Sequence, residues 1–178
     1  MQTIFTIGHS TRPIDEFIDL LKQHAITQLA DIRTIPKSLH NPQYGQDELE
    51  KSLEDAGIEY SYLKKLGGLR PAVKNSTNDA WRNKSFRNYA DYMQTSEFKK
   101  GIDELLAMSN DKITAIMCAE AVPWRCHRSL VGDALMVRGI TVCEIISAKS
   151  IREHTITSFA VVDGTGITYP KTALQTEE

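Results

Sequence analysis

The chain is poor in cysteine, in net charge and in long apolar runs, and each scarcity excludes a class of protein. Its 178 residues hold three cysteines, Cys118, Cys126 and Cys143. An odd and sparse set of this kind does not make a disulfide framework. No CxxC pair is among them, which removes the commonest zinc spacing. The formal net charge is −2, so the molecule as a whole is no generic binder of polyanions. The N-terminal run MQTIFTIG has no basic segment and breaks at Gly8, and it reads neither as a signal peptide nor as a membrane span. Reduced cysteines and the lack of an export signal give the expectation of a cytoplasmic protein with no membrane partner. There is no internal repeat and no low-complexity tract.

What is present is the pattern of one α/β domain. Residues 3–7 are short, β-branched and closed by Gly8, as a buried strand would be. Pro13 then opens a helix whose Ile14, Phe17, Ile18 and Leu21 fall on one face. Further strands are expected at 28–32, 58–63, 113–118 and 140–146, and further helices at 47–56, 86–94, 96–108 and 127–138. Gly57 and Gly139 stand just past helix ends, where a left-handed residue is needed. Strands alternating with helices predict a three-layer, Rossmann-like fold, a mostly parallel sheet with helices on both faces. Residues 1–168 make this single domain, and 169–178 are expected to form a loose tail.

In open sheets of this type, ligands bind at the carboxyl ends of the strands. Those ends read Gly8-His9-Ser10, Asp31-Ile32-Arg33, Leu66-Gly67-Gly68 and Cys118-Ala119-Glu120. The densest chemistry follows the last of these, in CAEAVPWRCHRS from Cys118 to Ser129. A buried strand ends in a cysteine, a loop follows, and a helix begins with a cation-rich turn. Backbone amides at that helix start, with Arg125, Arg128 and neighbouring Trp124, His127 and Ser129, suit an anion such as phosphate. The same field would favour the thiolate of Cys118 or Cys126. Cysteine phosphatases and sulfurtransferases share this layout, but phosphatases put five residues between cysteine and arginine. Six separate Cys118 from Arg125 here, and Glu120 adds a negative charge. Cys118 is otherwise a small buried apolar residue. Cys118, Cys126 and His127 also form a conceivable metal set, although adjacent residues on a helix point different ways. No cofactor is required by the sequence.

Two carboxylates, Asp31 and Glu120, end neighbouring strands and could share acid and base work, or bind sugar hydroxyls, or pair with Arg33, Arg125 or Arg128. His9 is either a site residue or a cap. From Lys64 to Arg87 there are seven cations and one acid, Asp79, interleaved with or followed by Trp81, Phe86, Tyr89 and Tyr92. Such a mixture suits nucleotides or single-stranded nucleic acid, with Arg82 among the contacts, or else it is a solvated loop. Residues 70–84 have no apolar period and are expected to be mobile, a lid that could close on the rim.

Several motifs together resemble a known family. These are Thr6-Ile-Gly-His-Ser10, Asp31-Ile-Arg33 with Pro36 and Ser38, Leu66-Gly-Gly68, Trp81-Arg82, the run from Phe86 to Met93, Cys118-Ala-Glu120 and Pro123-Trp-Arg-Cys-His-Arg128. In this order they are similar to the prokaryotic family called domain of unknown function 488, from about Thr3 to Phe159, with His154 included. The resemblance implies a compact α/β domain and a site on these motifs, but no substrate or reaction. The expected function is that of an enzyme, possible hydrolase chemistry included, acting on a phosphate-bearing ligand, a nucleotide or nucleic acid. Asp31, Glu120, Cys118 and His9 are the catalytic candidates, and Arg33, Gly67, Gly68, Arg82 and residues 124–129 are the ligand-binding ones. The alternatives are a non-catalytic nucleotide or single-strand binding module, and a cysteine-nucleophile enzyme of phosphatase or sulfurtransferase type. His9, Asp31, Glu120, Cys126 and Arg128 are expected to face one cleft.

Overall fold

The computed structural model describes residues 2–172. Five strands run parallel: β1 (Thr3–Gly8), β2 (Gln28–Asp31), β3 (Glu59–Tyr62), β4 (Thr114–Cys118) and β5 (Thr141–Ser147). A sixth, β6 (Ser150–Glu153), joins antiparallel at the edge, and the order is β3-β2-β4-β1-β5-β6. The helices are α1 (Ile14–Gln23), α2 (Gln46–Asp55), α3 (Lys84–Tyr92), α4 (Ser96–Met108) and α5 (Arg128–Met136). A separate hairpin pairs β7 (Val161–Asp163) with β8 (Gly166–Thr168).

Strand side chains alternate between two cores, because successive residues point to opposite faces of the sheet. In β4, Ala115 and Met117 join Phe17, Leu21, Leu49 and Leu53 of α1 and α2. Ile116 and Cys118 join Tyr89, Phe98, Ile102, Leu130 and Leu135 of α3, α4 and α5. The fold is therefore the three-layer α/β arrangement that the strand-helix alternation implies. Ile14 is only partly buried, so the α1 stripe is anchored by Phe17, Leu20 and Leu21. Gly57 and Gly139 do take positive φ, at 77° and 81°.

The topology also fixes where a crevice forms. The chain leaves β1 toward α1 on one face and leaves β4 toward α5 on the other, yet β1 and β4 are neighbours. Loops that diverge from adjacent strands open a crevice at the carboxyl ends of those strands.

One expectation is corrected. The loose tail was expected to start at Tyr169, but Tyr169 is fully buried, and residues 170–172 follow it among the described residues. The remainder of that tail, 173–178, lies outside the described residues. Residues 70–84 are irregular and mostly exposed, and Asn78 ties them to the fold. Asn78 is fully buried, donating to Asp91 Oδ1 at 2.7 Å and accepting from the Tyr169 amide at 2.9 Å. Arg70 lies over the Tyr92 ring, 3.6 Å from its centroid. A buried amide bonded on both sides holds the segment at its middle, a tie that polar composition alone did not reveal.

Candidate functional site

The rim of the crevice is built on unusually close backbone approach. Past the last strand pairing, the amides of His9 and Ser10 still reach the carbonyls of Cys118 and Ala119, at 3.0 and 2.9 Å. A Cβ on Gly8 would lie 1.5 Å from the Glu120 carbonyl oxygen, so only glycine lets the two loops touch. Ser10 then turns with φ at 49°, a left-handed conformation uncommon outside glycine.

Beside it, Asp31 and Arg33 form a buried pair. Arg33 Nη2 and Nε donate to the two Asp31 oxygens at 2.7 and 3.0 Å, and Tyr60 donates to Asp31 at 2.6 Å. Burial, then the Asp31 charge, raises the Tyr60 hydroxyl well above its usual range, so it stays a donor. Arg33 also donates to the Tyr44 carbonyl at 2.8 Å. His9 stacks on Tyr44 with ring centroids 4.2 Å apart. Burial lowers its pKa against the opposing bond to the Ser10 carbonyl, which keeps the imidazole neutral. These groups form a saturated support. Asp31 is fully buried and its oxygens are taken, so it is not positioned to exchange protons with a ligand.

The loop 119–127 is clamped from below by Arg128, which is also fully buried. Its Nη1 donates to the Glu120 carbonyl and lies 2.9 Å from Cys118 Sγ, and its Nη2 donates to the Ala121 carbonyl at 3.1 Å. Burial lowers its pKa to about 10, against the attraction of Glu144 and Glu120, and it remains a cation. The expected phosphate ligand is thus committed to holding the loop. Cys118 and Cys126 face each other, sulfur beside sulfur, with Cα atoms 7.3 Å apart, because the loop returns on itself and brings together residues eight apart. Cys143 is free. His127 bonds the Ile32 carbonyl through Nε2 at 2.9 Å, leaving Nδ1 3.5 Å from Cys126 Sγ. Burial drops its pKa to about 4, outweighing the bonds to the Ile32 and Leu66 backbone. Gly68 is needed against this ring, since a Cβ there would lie 2.5 Å from His127 Nδ1. Among the described residues no group of three or more His, Cys, Asp or Glu side chains is placed to hold a metal ion.

Replacing Arg128 with lysine keeps the charge but loses the fork that bridges two carbonyls and a sulfur. We expect a loss of about 2 kcal/mol in urea unfolding, the worth of one or two charge-assisted hydrogen bonds. An unchanged midpoint would mean the clamp contributes nothing.

Outward of this support lies a cleft of about 460 Å³ lined by Trp81, Trp124, Ser129, Arg152 and His154, with the carboxylates of Glu144 and Glu153 also in its wall. Trp124 is exposed, at 54 %, and the Arg152 guanidinium sits 4.9 Å from its ring centroid. A neighbouring cavity of about 400 Å³ shares Trp81 and adds Arg82, Phe86, Phe159 and Lys171. Under the first cleft runs a buried network. His154 bonds Glu144 through Nδ1 at 2.6 Å and Asp133 through Nε2 at 2.8 Å. Asp133 also accepts from Thr157 and from the Tyr169 hydroxyl, at 2.7 and 2.8 Å. Burial alone would lower the His154 pKa, but hydrogen bonds to the two carboxylates outweigh it and raise it to about 9. A further cavity of about 430 Å³ lies between Glu50, Glu54 and Glu59, whose charge is wrong for an anion.

A family model described as "Domain of unknown function DUF488" matches residues 13–135, well over half of the chain. The chain belongs to this family. The match takes in β2 to β4 and the whole of residues 118–129, and stops short of His154 and of the Thr6–Ser10 motif, which the resemblance had included. Neither curated proteins nor solved structures give a match.

Within this DUF488 chain the expected residues separate into two layers. His9, Asp31, Arg33, Cys118, Cys126 and Arg128 are buried at one end of the sheet, and Gly67 with Gly68 packs beside them. Glu120, Trp124, Arg125 and Arg82 are exposed, and Ser129 lines the cleft. His9, Asp31, Cys126 and Arg128 are therefore buried rather than facing a cleft, and Glu120, though exposed, is not among the residues that line it. Sequence reasoning gave no individual role to Asp133, Glu144 or Arg152. Asp133 did carry a signal, an acid inside the otherwise apolar α5 run LVGDALM.

Proposed function

We propose that this chain acts on a phosphate-bearing ligand, a nucleotide or short single-stranded nucleic acid, held against the outer face of residues 118–129. The observation that carries this reading is the pair of adjoining cavities joined by Trp81, with exposed Trp124 on one side and Arg82 and Lys171 on the other. Aromatic faces stack bases, and arginine and lysine at the margins take phosphates. Arg125, Arg82 and Arg152 are the cations that suit the phosphate, and Trp124 suits the base. Glu120 is the exposed carboxylate of the set and is the residue on which a hydrolase version of the reading depends. A pure binding module uses the same surface without Glu120 chemistry. A cysteine nucleophile is the third reading, favoured by the Arg128 guanidinium 2.9 Å from Cys118, but Cys118 is only 2 % exposed and lies against Cys126. A cytoplasmic location belongs to this proposal, because its ligands abound there; the structure adds that no described helix is long and apolar enough to cross a membrane.

Titration calorimetry at low salt with adenosine monophosphate and a short oligothymidylate tests the reading. Trp124→Ala is expected to weaken binding about tenfold or more, the worth of one base stacked on an aromatic ring. If neither ligand binds the wild type, the proposal fails. If both bind and Glu120→Gln leaves turnover of a nucleotide substrate at the wild-type rate, the hydrolase version fails and the binding version stands.

A further inference from the structure

The cysteine pair is placed where sulfur chemistry would act on the ligand surface. Cys118 ends β4, Cys126 precedes α5, and the loop between them carries Trp124 and Arg125. Both sulfurs are supplied with donors. Arg128 Nη1 stands 2.9 Å from Cys118 Sγ, and the Arg128 amide, at the start of α5, stands 3.5 Å from Cys126 Sγ. A guanidinium and a helix start both favour thiolate over thiol, and a structural disulfide would require neither. The cysteine outside this loop, Cys143, has no such donor among the described residues, and burial, then the Glu153 charge, favours its thiol.

We propose that Cys118 and Cys126 are a reversible dithiol-disulfide couple whose co-reactant is a small-molecule disulfide, and that its state sets the loop bearing Trp124. The link to ligand binding rests on the function proposed above; the couple itself does not. Cys126 is the slightly more exposed sulfur, at 5 % against 2 %. In the oxidising direction its thiolate attacks one sulfur of the small disulfide, forming a mixed disulfide and releasing one small thiolate. The Cys118 thiolate, beside Arg128, then attacks Cys126 Sγ and expels the second small thiolate. Two electrons pass from the two cysteines to the small disulfide, which leaves as two thiols. Reduction by an excess of small dithiol runs the same steps backward. Closed, the pair pins both ends of the loop and fixes Trp124; opened, it leaves the loop between its ties at Ala119 and His127 held by the Arg128 clamp.

The test uses the full chain with Cys143→Ser, so that only the two cysteines report. Folded protein is incubated with glutathione disulfide or with dithiothreitol, then alkylated and weighed by mass spectrometry. Glutathione disulfide should leave no alkylated thiol, and dithiothreitol without denaturant should give two. The further change Cys118→Ser should trap one glutathionyl group on Cys126. If that variant does not fold, the time course of the mixed disulfide in the parent protein supplies the same readout. Two thiols persisting under glutathione disulfide, or a pair that dithiothreitol cannot open in the folded protein, overturns the couple whatever the ligand does. If the couple cycles, the dithiol form should bind adenosine monophosphate about tenfold more weakly than the disulfide form, a usual size for coupling between sites. Equal affinities overturn the control of the loop. Cycling with no binding in either state overturns the proposed function and leaves the couple standing.

Discussion

Gly8→Ala is expected to destabilise the protein by about 3 kcal/mol or more, the upper range for overpacking a closed interior. The added methyl would meet the Glu120 carbonyl oxygen at 1.5 Å, its carbon at 2.4 Å and the Arg128 Nη1 at 2.6 Å. Two of these three are backbone atoms, so no side-chain rotation relieves the clash. Relief requires β1 to part from β4 at its carboxyl end. That movement breaks the bonds from the His9 and Ser10 amides to Cys118 and Ala119. It also pushes the guanidinium off the Glu120 and Ala121 carbonyls, which then lose their donor. The effect therefore exceeds the glycine-to-alanine change in chain entropy, which on its own favours alanine by under about 1 kcal/mol. Urea unfolding followed by circular dichroism measures it. A variant as stable as the wild type would show that the two loops are not in contact. Gly139→Ala is the comparison: φ is 81° there but nothing lies within 4 Å, so the cost is backbone strain alone, about 1 kcal/mol.

The contrast between those glycines shows what could be read in the chain and what could not. Gly57 and Gly139 follow helix patterns, so local spacing announced their left-handed turns. Gly8 ends a strand, and its reason for being glycine comes from Glu120, more than a hundred residues away. The five parallel strands and five helices were legible because each carries its own period, and α4 was read with the bounds it has, Ser96–Met108. The start of α3 was missed by two residues, because Asn83 caps it by accepting from the Phe86 amide, a single polar residue within a polar stretch. The strands β6, β7 and β8 are short, and β6 and β7 are fully exposed along their length, so they carry no alternation. The rim after β4 could be named from the sequence as a candidate site, but which of its residues are buried could not. Arg128 and Asp31 look like ligand-facing charges in sequence. Burial, which pairs each with neighbours from other elements, is a tertiary property that residue type does not reveal.

The His154 network is the main source of pH dependence on the alkaline side. The imidazole is buried and bonded on both sides by carboxylates, Glu144 and Asp133, with Arg152 also on Glu144 and Tyr169 also on Asp133. Its pKa is about 9 in the folded protein against 6.5 when free. Folding therefore favours the protonated ring: the stabilisation is complete below pH 6.5 and disappears as pH rises through about 9. A shift of this size corresponds to about 3 kcal/mol, an order of magnitude only. Glu144 acts with the opposite sign. Burial pushes its carboxyl up, but the hydrogen bonds from His154 and Arg152 hold it below 4.5, so its contribution is lost as pH falls through its lowered folded-state value. His127 and His9, buried as neutral rings, cost stability as pH falls below 6.5, so the protein is expected to be most stable near pH 6.5 and to lose stability toward pH 9, before free tyrosines titrate. His154→Gln should flatten that alkaline decline. Asp133→Ala should cost about 4 kcal/mol at neutral pH, because it strands a buried cation and frees Thr157 and Tyr169 from their acceptor. Nuclear magnetic resonance titration of the imidazoles reads the cause directly: a His154 midpoint near 6.5, with a urea midpoint flat from pH 6.5 to 9, would remove the charged network and leave a neutral histidine merely packed beneath the Trp81–Trp124 cleft.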